Sequence, residues 1–183
     1  SDLDALAEMF KKGDMQAARA KLHHDMLHYI DEVTEEQLSA ILEKIGACVK
    51  RAYQAGVDVV EVHGDRLVGA LCSPILNHRE DQYGGSFENR TRFALMVVKT
   101  IKANAPDICI DYKLPIITEN PLRGKGGLKI DEAISLAKIL EEAGVDMIHV
   151  GQANHTGNMN DTIPAMGTQP YCFMSKYTKQ IKE

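Results

Sequence analysis

The sequence lacks the features that would mark three broad classes of protein. It has no run of about 18 apolar residues, so no membrane-spanning helix is predicted. Lysine and arginine total 21 against 26 acidic residues, giving a net charge of −5, so no nucleic-acid-binding surface is expected. Residues 1–7 contain two acids and no apolar stretch of the signal-peptide kind, which favours a cytoplasmic protein.

Several short motifs are also missing. None of the four cysteines forms a C-x-x-C pair, so we expect reduced thiols without a zinc knuckle or a thioredoxin-like site. No G-x-G-x-x-G follows a strand, and the glycine-rich segment 123–127 is not a phosphate-binding Walker loop. His24 and His28 would share a helix face, but no H-E-x-x-H motif is present, so no metal site is predicted.

What the sequence does contain is a repeated helix–turn–strand unit. Thr34 and Gln37 form a capping-box pattern, and the apolar residues that follow recur with a period of 3.6. Gly56 ends this predicted helix, and the β-rich segment 57–63 follows at once. The same junction, Ala-Gly-Val-Asp, recurs at residues 143–146.

A third unit fits between these two copies. Ser86 is predicted to cap a helix before a strand at 108–114 that ends at Pro115, and Asp131 to cap a helix before a strand at 145–150. Alternating helices and strands predict an α/β fold of adjacent parallel strands with crossover helices on one side. Two architectures fit, an open doubly wound sheet and a partial (β/α)8 barrel, and the missing G-x-G-x-x-G weakens only a dinucleotide-binding open sheet. In a barrel, the long segments after the strands would build the active site.

We treat residues 1–183 as a single domain, and if it is a barrel it is an incomplete one, because a full barrel needs eight strands. Secure β/α units are expected within residues 34–183, with a further helix at 171–183. Residues 1–33 read as an irregular helical region, with helices at 3–10 and 15–29 and an undecided segment at 20–23. The chain begins with serine rather than methionine, so we expect an internal piece of a longer protein.

Residues 57–92 read VDVVEVHGDRLVGALCSPILNHREDQYGGSFENRTR. This segment closely resembles the strand–loop–helix signature of the Old Yellow Enzyme and NADH:flavin oxidoreductase family. The matching positions are Ser73, Pro74, Asn77, Arg79, Asp81, Tyr83, Gly84, Gly85, Ser86, Glu88, Asn89 and Arg90. Most of them read as scaffolding, since the glycines suit a tight turn and the charges can form ion pairs that pin a long loop.

The resemblance implies an FMN-dependent oxidoreductase that uses NADH or NADPH. Its substrates would be small molecules with a C=C bond conjugated to a carbonyl or thioester group. It also implies that the FMN phosphate is held by loops after the last two barrel strands, which we expect to lie beyond this chain. The alternative is a non-catalytic partial barrel that self-associates and does not retain FMN, since open strand edges recruit other chains. On either reading we expect a homo-oligomer.

The resemblance also implies two catalytic residues in the first long segment. His63, at the end of its strand, matches a donor that holds the substrate's carbonyl oxygen. Most relatives have a second His or Asn three residues on and then a proton-donating Tyr, whereas this chain has Arg66 and no Tyr. Arg66 could supply a permanent positive charge for a carboxylate or acyl-thioester substrate, or could form a salt bridge with Asp65 or Glu61.

Four further residues complete the predicted site. Lys113 matches a strand cation that stabilises reduced flavin, and a lysine inside an apolar strand is costly without a function. Gln152 is a predicted flavin or substrate contact, and His155 could face the substrate. Lys21 stands where relatives carry a strand that contacts the flavin, although a solvated helix face fits the same residues.

Overall fold

The computed structural model describes residues 2–117, 127–152 and 172–183, without the side chains of residues 2, 3, 22–27 and 152. Strands β1 (Val59–His63), β2 (Cys109–Ile116) and β3 (Met147–Gln152) form a parallel sheet in the order β1-β2-β3. The predicted order and direction of the strands are therefore confirmed.

Seven helices are described in these ranges. They are α1 (Asp2–Lys11), α2 (Met15–Glu32), α3 (Glu35–Gln54), α4 (Leu67–Cys72), α5 (Phe87–Asn104), α6 (Ile130–Glu142) and α7 (Ser175–Lys182). Helix α4 was not predicted, because its six residues lie in a segment read as loop. The undecided segment 20–23 is helical, within α2. No helix among the described residues is long and apolar enough to cross a membrane.

The two faces of the sheet differ sharply. Even-numbered strand residues such as Ile110, Tyr112 and Leu114 are buried in the core that also contains residues of α3, α5 and α6. Odd-numbered residues on the opposite face are less buried: Glu61 and His149 are exposed, and Asp111 and Lys113 are half-buried. Since all the covering helices lie on one side, the exposed face corresponds to the interior side of a β/α barrel.

The two Ala-Gly-Val-Asp junctions have the predicted backbone. Gly56 and Gly144 have φ of 82° and 106°, the left-handed conformation that ends α3 and α6. After the second junction, the Asp146 carboxylate accepts hydrogen bonds from Ile110 N at 2.9 Å and from Lys102 Nζ at 3.1 Å. These bonds lower the pKa of Asp146, and they fasten the start of β3 to β2.

Two boundary predictions were wrong. Pro115 does not end β2, because parallel pairing continues through Pro115 with Gly151 and Ile116 with Gln152. The N-cap of α6 is Lys129, without a side-chain cap, and Asp131 lies in the first turn. An acidic side chain in the first turn interacts favourably with the helix dipole. Asp131 therefore marks the start of the helix, although it is not the N-cap.

The long segment between α4 and α5 is pinned by buried arginines. Arg79 pairs with Asp81, as predicted, and its Nη1 also donates to Ile30 O at 2.9 Å and Val33 O at 2.5 Å. Arg90 pairs across to Glu132 of α6 at 2.7 Å rather than within its own segment. The loop after β1 is thus tied both to the end of α2 and to the start of α6.

The end of α2 joins the fold at the carboxyl end of the strands. Helix α3 runs antiparallel to β1 and ends where β1 begins. The first residue of α3 therefore lies near the end of the sheet at which β1 terminates. The bonds from Arg79 hold the end of α2 at that same end. His78 adds a contact there, since its backbone N and Nδ1 lie 2.9 and 3.2 Å from the Asp31 carboxylate.

Candidate active site

The carboxyl ends of β1 and β2 bring two predicted site residues together. His63 is the last residue of β1, and Lys113 is its register partner on β2. Both have odd numbers, so both project from the exposed face of the sheet. Lys113 Nζ lies 3.4 Å from His63 Nε2.

Asp65 links these two groups. Its Oδ1 lies 2.6 Å from His63 Nδ1, and its Oδ2 lies 3.5 Å from Lys113 Nζ. The Asp65 side chain is 18% exposed, compared with 48% for His63 and 25% for Lys113. We call His63, Asp65 and Lys113 the strand-end cluster.

Two glycines lie beside the cluster. A Cβ on Gly64 would overlap the Lys113 carbonyl oxygen, so only glycine lets the chain turn this closely against β2. A Cβ on Gly151 of β3 would stand 3.4 Å from Lys113 Cε, an ordinary van der Waals distance. Gly64 is therefore the glycine that the cluster requires, and Gly151 lies beside the lysine stem.

The contact between Asp65 and His63 is close but is not a hydrogen bond. Asp65 Oδ1 is buried and has no hydrogen-bond partner among the described residues, although His63 Nδ1 lies 2.6 Å away. An ammonium can only donate, so the 3.4 Å contact between Lys113 Nζ and His63 Nε2 makes Nε2 the acceptor. Lys113 is therefore a hydrogen-bond donor in the cluster whatever the state of the imidazole.

A tyrosine from α2 faces the same region. Burial raises the pKa of Tyr29 to about 12, with a smaller opposing effect of the Arg66 charge and a further rise from Asp65. The phenol is therefore protonated at neutral pH. Behind the sheet, burial also raises the pKa of Tyr112 well above its usual value and that of Cys72 to about 12.

The other predicted site residues have different outcomes. Arg66 is 55% exposed, with Nε 3.8 Å from Asp65 Oδ1, so it borders the cluster through the salt bridge considered above. Gln152 is the last residue of β3, and its side chain lies outside the described atoms. His155 lies outside the described residues. Lys21 is on α2 rather than on a strand, and its role stays a prediction.

Asp65 is the site residue that sequence reasoning undervalued. It entered only as a partner for Arg66, whereas the structure places it between His63 and Lys113. The signal was its position directly after a strand-ending His-Gly pair. Its second partner could not be foreseen, because Lys113 is 48 residues away.

Comparison with known proteins defines the family. The NADH:flavin oxidoreductase / NADH oxidase family profile matches residues 3–179. The chain is 75% identical over 182 residues to a bilirubin reductase of Mediterraneibacter gnavus, covering 100% of this chain and 28% of that protein. It is 37% identical over 160 residues to a bilirubin reductase of Clostridium symbiosum, covering 85% of the chain and 42% of the relative.

Solved structures agree in fold. Morphinone reductase matches with a TM-score of 0.59 and 27% identity, over 82% of this chain and 37% of that one. A 2-naphthoyl-CoA reductase complex matches with a TM-score of 0.70 and 24% identity, over 82% and 22%. The chain belongs to the NADH:flavin oxidoreductase / NADH oxidase family, and its fold is part of a β/α barrel. It spans less than half the length of these relatives.

The family is FMN-dependent, with NADH or NADPH as electron donor. The strand-end cluster fits such a cofactor, because Lys113 presents a partly buried ammonium at the carboxyl end of β2. Its stem runs beside Gly151 of β3. Lys113 would hold an anionic edge of FMN, and this role stays a prediction.

Proposed function

We propose that this chain forms the substrate-polarising part of a flavoenzyme that reduces a C=C bond conjugated to a carbonyl group. The observation that carries the proposal is the strand-end cluster, in which His63 and Lys113 lie 3.4 Å apart at the carboxyl edge of a parallel sheet. In β/α barrels this edge is where active sites are built. FMN, when bound, supplies the electron pair that such a reduction requires.

The chain's own residues would act on the substrate oxygen. Lys113, and His63 when protonated, can donate hydrogen bonds to a carbonyl oxygen whose negative charge grows as the double bond is reduced. Asp65 contacts both donors and so limits where each can move. Its partial burial strengthens these contacts relative to a fully solvated pair.

Bilirubin is the substrate that we propose first. Support comes from the 75% identity to a bilirubin reductase along the whole of this chain. Bilirubin has lactam carbonyls conjugated to C=C bonds, which suits donors of this kind, and two propionate carboxylates. Arg66, which is more than half exposed beside the cluster, offers a permanent charge for one of those carboxylates.

The test is an anaerobic stopped-flow study of the complete flavoprotein with bilirubin. His63→Ala should slow oxidation of the reduced flavin by about 10²–10³-fold, the usual cost of one such donor, and should affect flavin reduction by NADH or NADPH much less. Lys113→Met should in addition lower the flavin reduction potential or weaken FMN binding. His78→Ala, which changes a histidine paired with Asp31, is the matched control and should leave both half-reactions unchanged.

Two results would contradict the proposal. One is that His63→Ala and Lys113→Met affect both half-reactions to the same extent, because the two residues would then have no separate roles. The other is that the wild-type reduced flavin is oxidised neither by bilirubin nor by a simple conjugated enone. Oxidation by the enone alone would retain the reaction class and reject bilirubin as the substrate.

A further inference from the structure

Reduction of a conjugated C=C bond adds a proton to the substrate as well as a hydride. The chain has no tyrosine between His63 and Ser73, the segment that follows β1. The proton must then come from another side chain or from water, and the contacts of the strand-end cluster distinguish the candidates.

Three groups beside the cluster are poor proton donors. Arg66 keeps its proton permanently, because a guanidinium is not deprotonated in proteins. Asp65 is the carboxylate partner of two basic groups, His63 and Lys113, and so accepts rather than donates. Burial raises the pKa of the Tyr29 phenol to about 12, which is too high for efficient acid catalysis near neutral pH.

Lys113 differs from these groups because its ammonium has three N–H bonds. Its Nζ lies 3.4 Å from His63 Nε2 and 3.5 Å from Asp65 Oδ2. These two acceptors account for two of the N–H bonds, and among the described residues no further acceptor contacts the third. One N–H bond of Lys113 is therefore available to a substrate oxygen at the carboxyl end of β2.

The ammonium of Lys113 is also held less tightly than that of a purely structural lysine. Behind the sheet, Lys102 Nζ lies 3.1 Å from Asp146 Oδ2 and donates to Ile108 O at 2.8 Å. The carboxylate contact of Lys113 is longer, at 3.5 Å to Asp65, and its other partner is a ring nitrogen rather than a carbonyl oxygen. Weaker contacts to the ammonium make release of a proton less costly.

We propose that Lys113 is the general acid that protonates the substrate's carbonyl oxygen during the reduction, an inference that rests on the proposed function. The β-carbon gains a hydride from reduced flavin, the π electrons move toward the carbonyl oxygen, and one N–H bond of Lys113 breaks as that oxygen takes the proton. The enol then becomes the saturated carbonyl compound by proton exchange with water. The amine left on Lys113 also regains its proton from water, so the residue is unchanged after each turnover.

The test uses the complete flavoprotein with bilirubin and, separately, with a simple conjugated enone. Lys113→Arg keeps the positive charge but cannot release a proton, so FMN content and the flavin reduction potential should stay close to those of the wild type. The saturated product, measured by rapid quench, should form about 10²-fold more slowly. Lys102→Arg is the matched control, since Lys102 is 24% exposed with a carboxylate neighbour, and it should form product at the wild-type rate.

A second measurement needs no variant. Product formation by the wild type should be slower in D2O, because an N–H bond breaks in that step, whereas flavin reduction by NADH or NADPH should be slowed much less. The inference is overturned if D2O has no effect, if Lys113→Arg forms product at the wild-type rate, or if Tyr29→Phe slows product formation as much as Lys113→Arg does. A wild-type flavin that neither substrate oxidises would instead reject the proposed function, and the inference with it.

Discussion

Arg90 gives the sharpest prediction about stability. Its side chain is 6% exposed, and its guanidinium donates to Gly85 O at 3.1 Å, to Cys72 O, and to Glu132 Oε1 at 2.7 Å. The Arg90 guanidinium thus links three elements: the end of α4, the turn before α5 and the start of α6. Glu132 is 26% exposed, so its charge is only partly solvated.

We expect Arg90→Met to lower the free energy of unfolding by about 3–5 kcal/mol. The change leaves a partly buried carboxylate and two backbone carbonyls without their donor, which is the situation in which loss of one partner costs most. Arg90→Lys should recover little, because a lysine ammonium cannot reach three acceptors in the same planar arrangement. Urea unfolding followed by circular dichroism provides the measurement.

Arg92→Met is the matched control. Arg92 lies on the same helix and donates to Gln82 O and Asn89 Oδ1, both at 2.9 Å, but these contacts lie nearer the surface. Its loss should cost about 1 kcal/mol. If Arg90→Met and Arg92→Met differ by less than about 1 kcal/mol, Arg90 does not hold the three elements together.

Four further predictions follow from individual contacts. Cys72 is buried with a pKa of about 12, so native protein at pH 8 should show three thiols that react rapidly with Ellman's reagent, and a fourth only in denaturant; four rapid thiols would contradict this. Gly64→Ala should destabilise the chain and displace Asp65, because its Cβ would meet the Lys113 carbonyl; unchanged stability would show that the loop can shift without cost. The pKa of Asp146 in the folded chain is lowered by the hydrogen bond from Ile110 N and, to a smaller extent, by the one from Lys102. Its contribution to the free energy of unfolding should therefore be complete above the unfolded pKa and be lost as the pH falls through the folded pKa. Urea titrations of Asp146→Asn should match those of the wild type only at acidic pH. The isolated chain should self-associate through its open sheet and retain little FMN in gel filtration, and a yellow monomer by light scattering would refute both expectations.

The local pattern of the sequence determined most of the secondary structure. The Thr34–Gln37 capping box is present as predicted, and Ser86 caps α5 by accepting from Asn89 N. The repeated Ala-Gly-Val-Asp junction correctly predicted parallel β/α units, because a left-handed glycine after a helix is a local backbone requirement. The residues of the loop signature then identified the family.

The local sequence pattern did not predict features that depend on residues far apart in the chain or on very short elements. Pro115 lacks a backbone donor and was expected to end β2, but its pairing with Gly151 carries the strand on. Helix α4 was missed because its six residues are too few for periodicity to show. Arg90 was assigned to its own loop, while its partner Glu132 is 42 residues away.

For the candidate site, the sequence indicated individual residues, whereas the structure determined which of them are in contact. His63 and Lys113 could each be proposed from the sequence, because each stands in a segment that resembles a known family. Their contact and the place of Asp65 between them were decided only by the parallel register. Sequence specifies which side chains alternate along one strand, whereas the pairing of strands sets which of those side chains become neighbours.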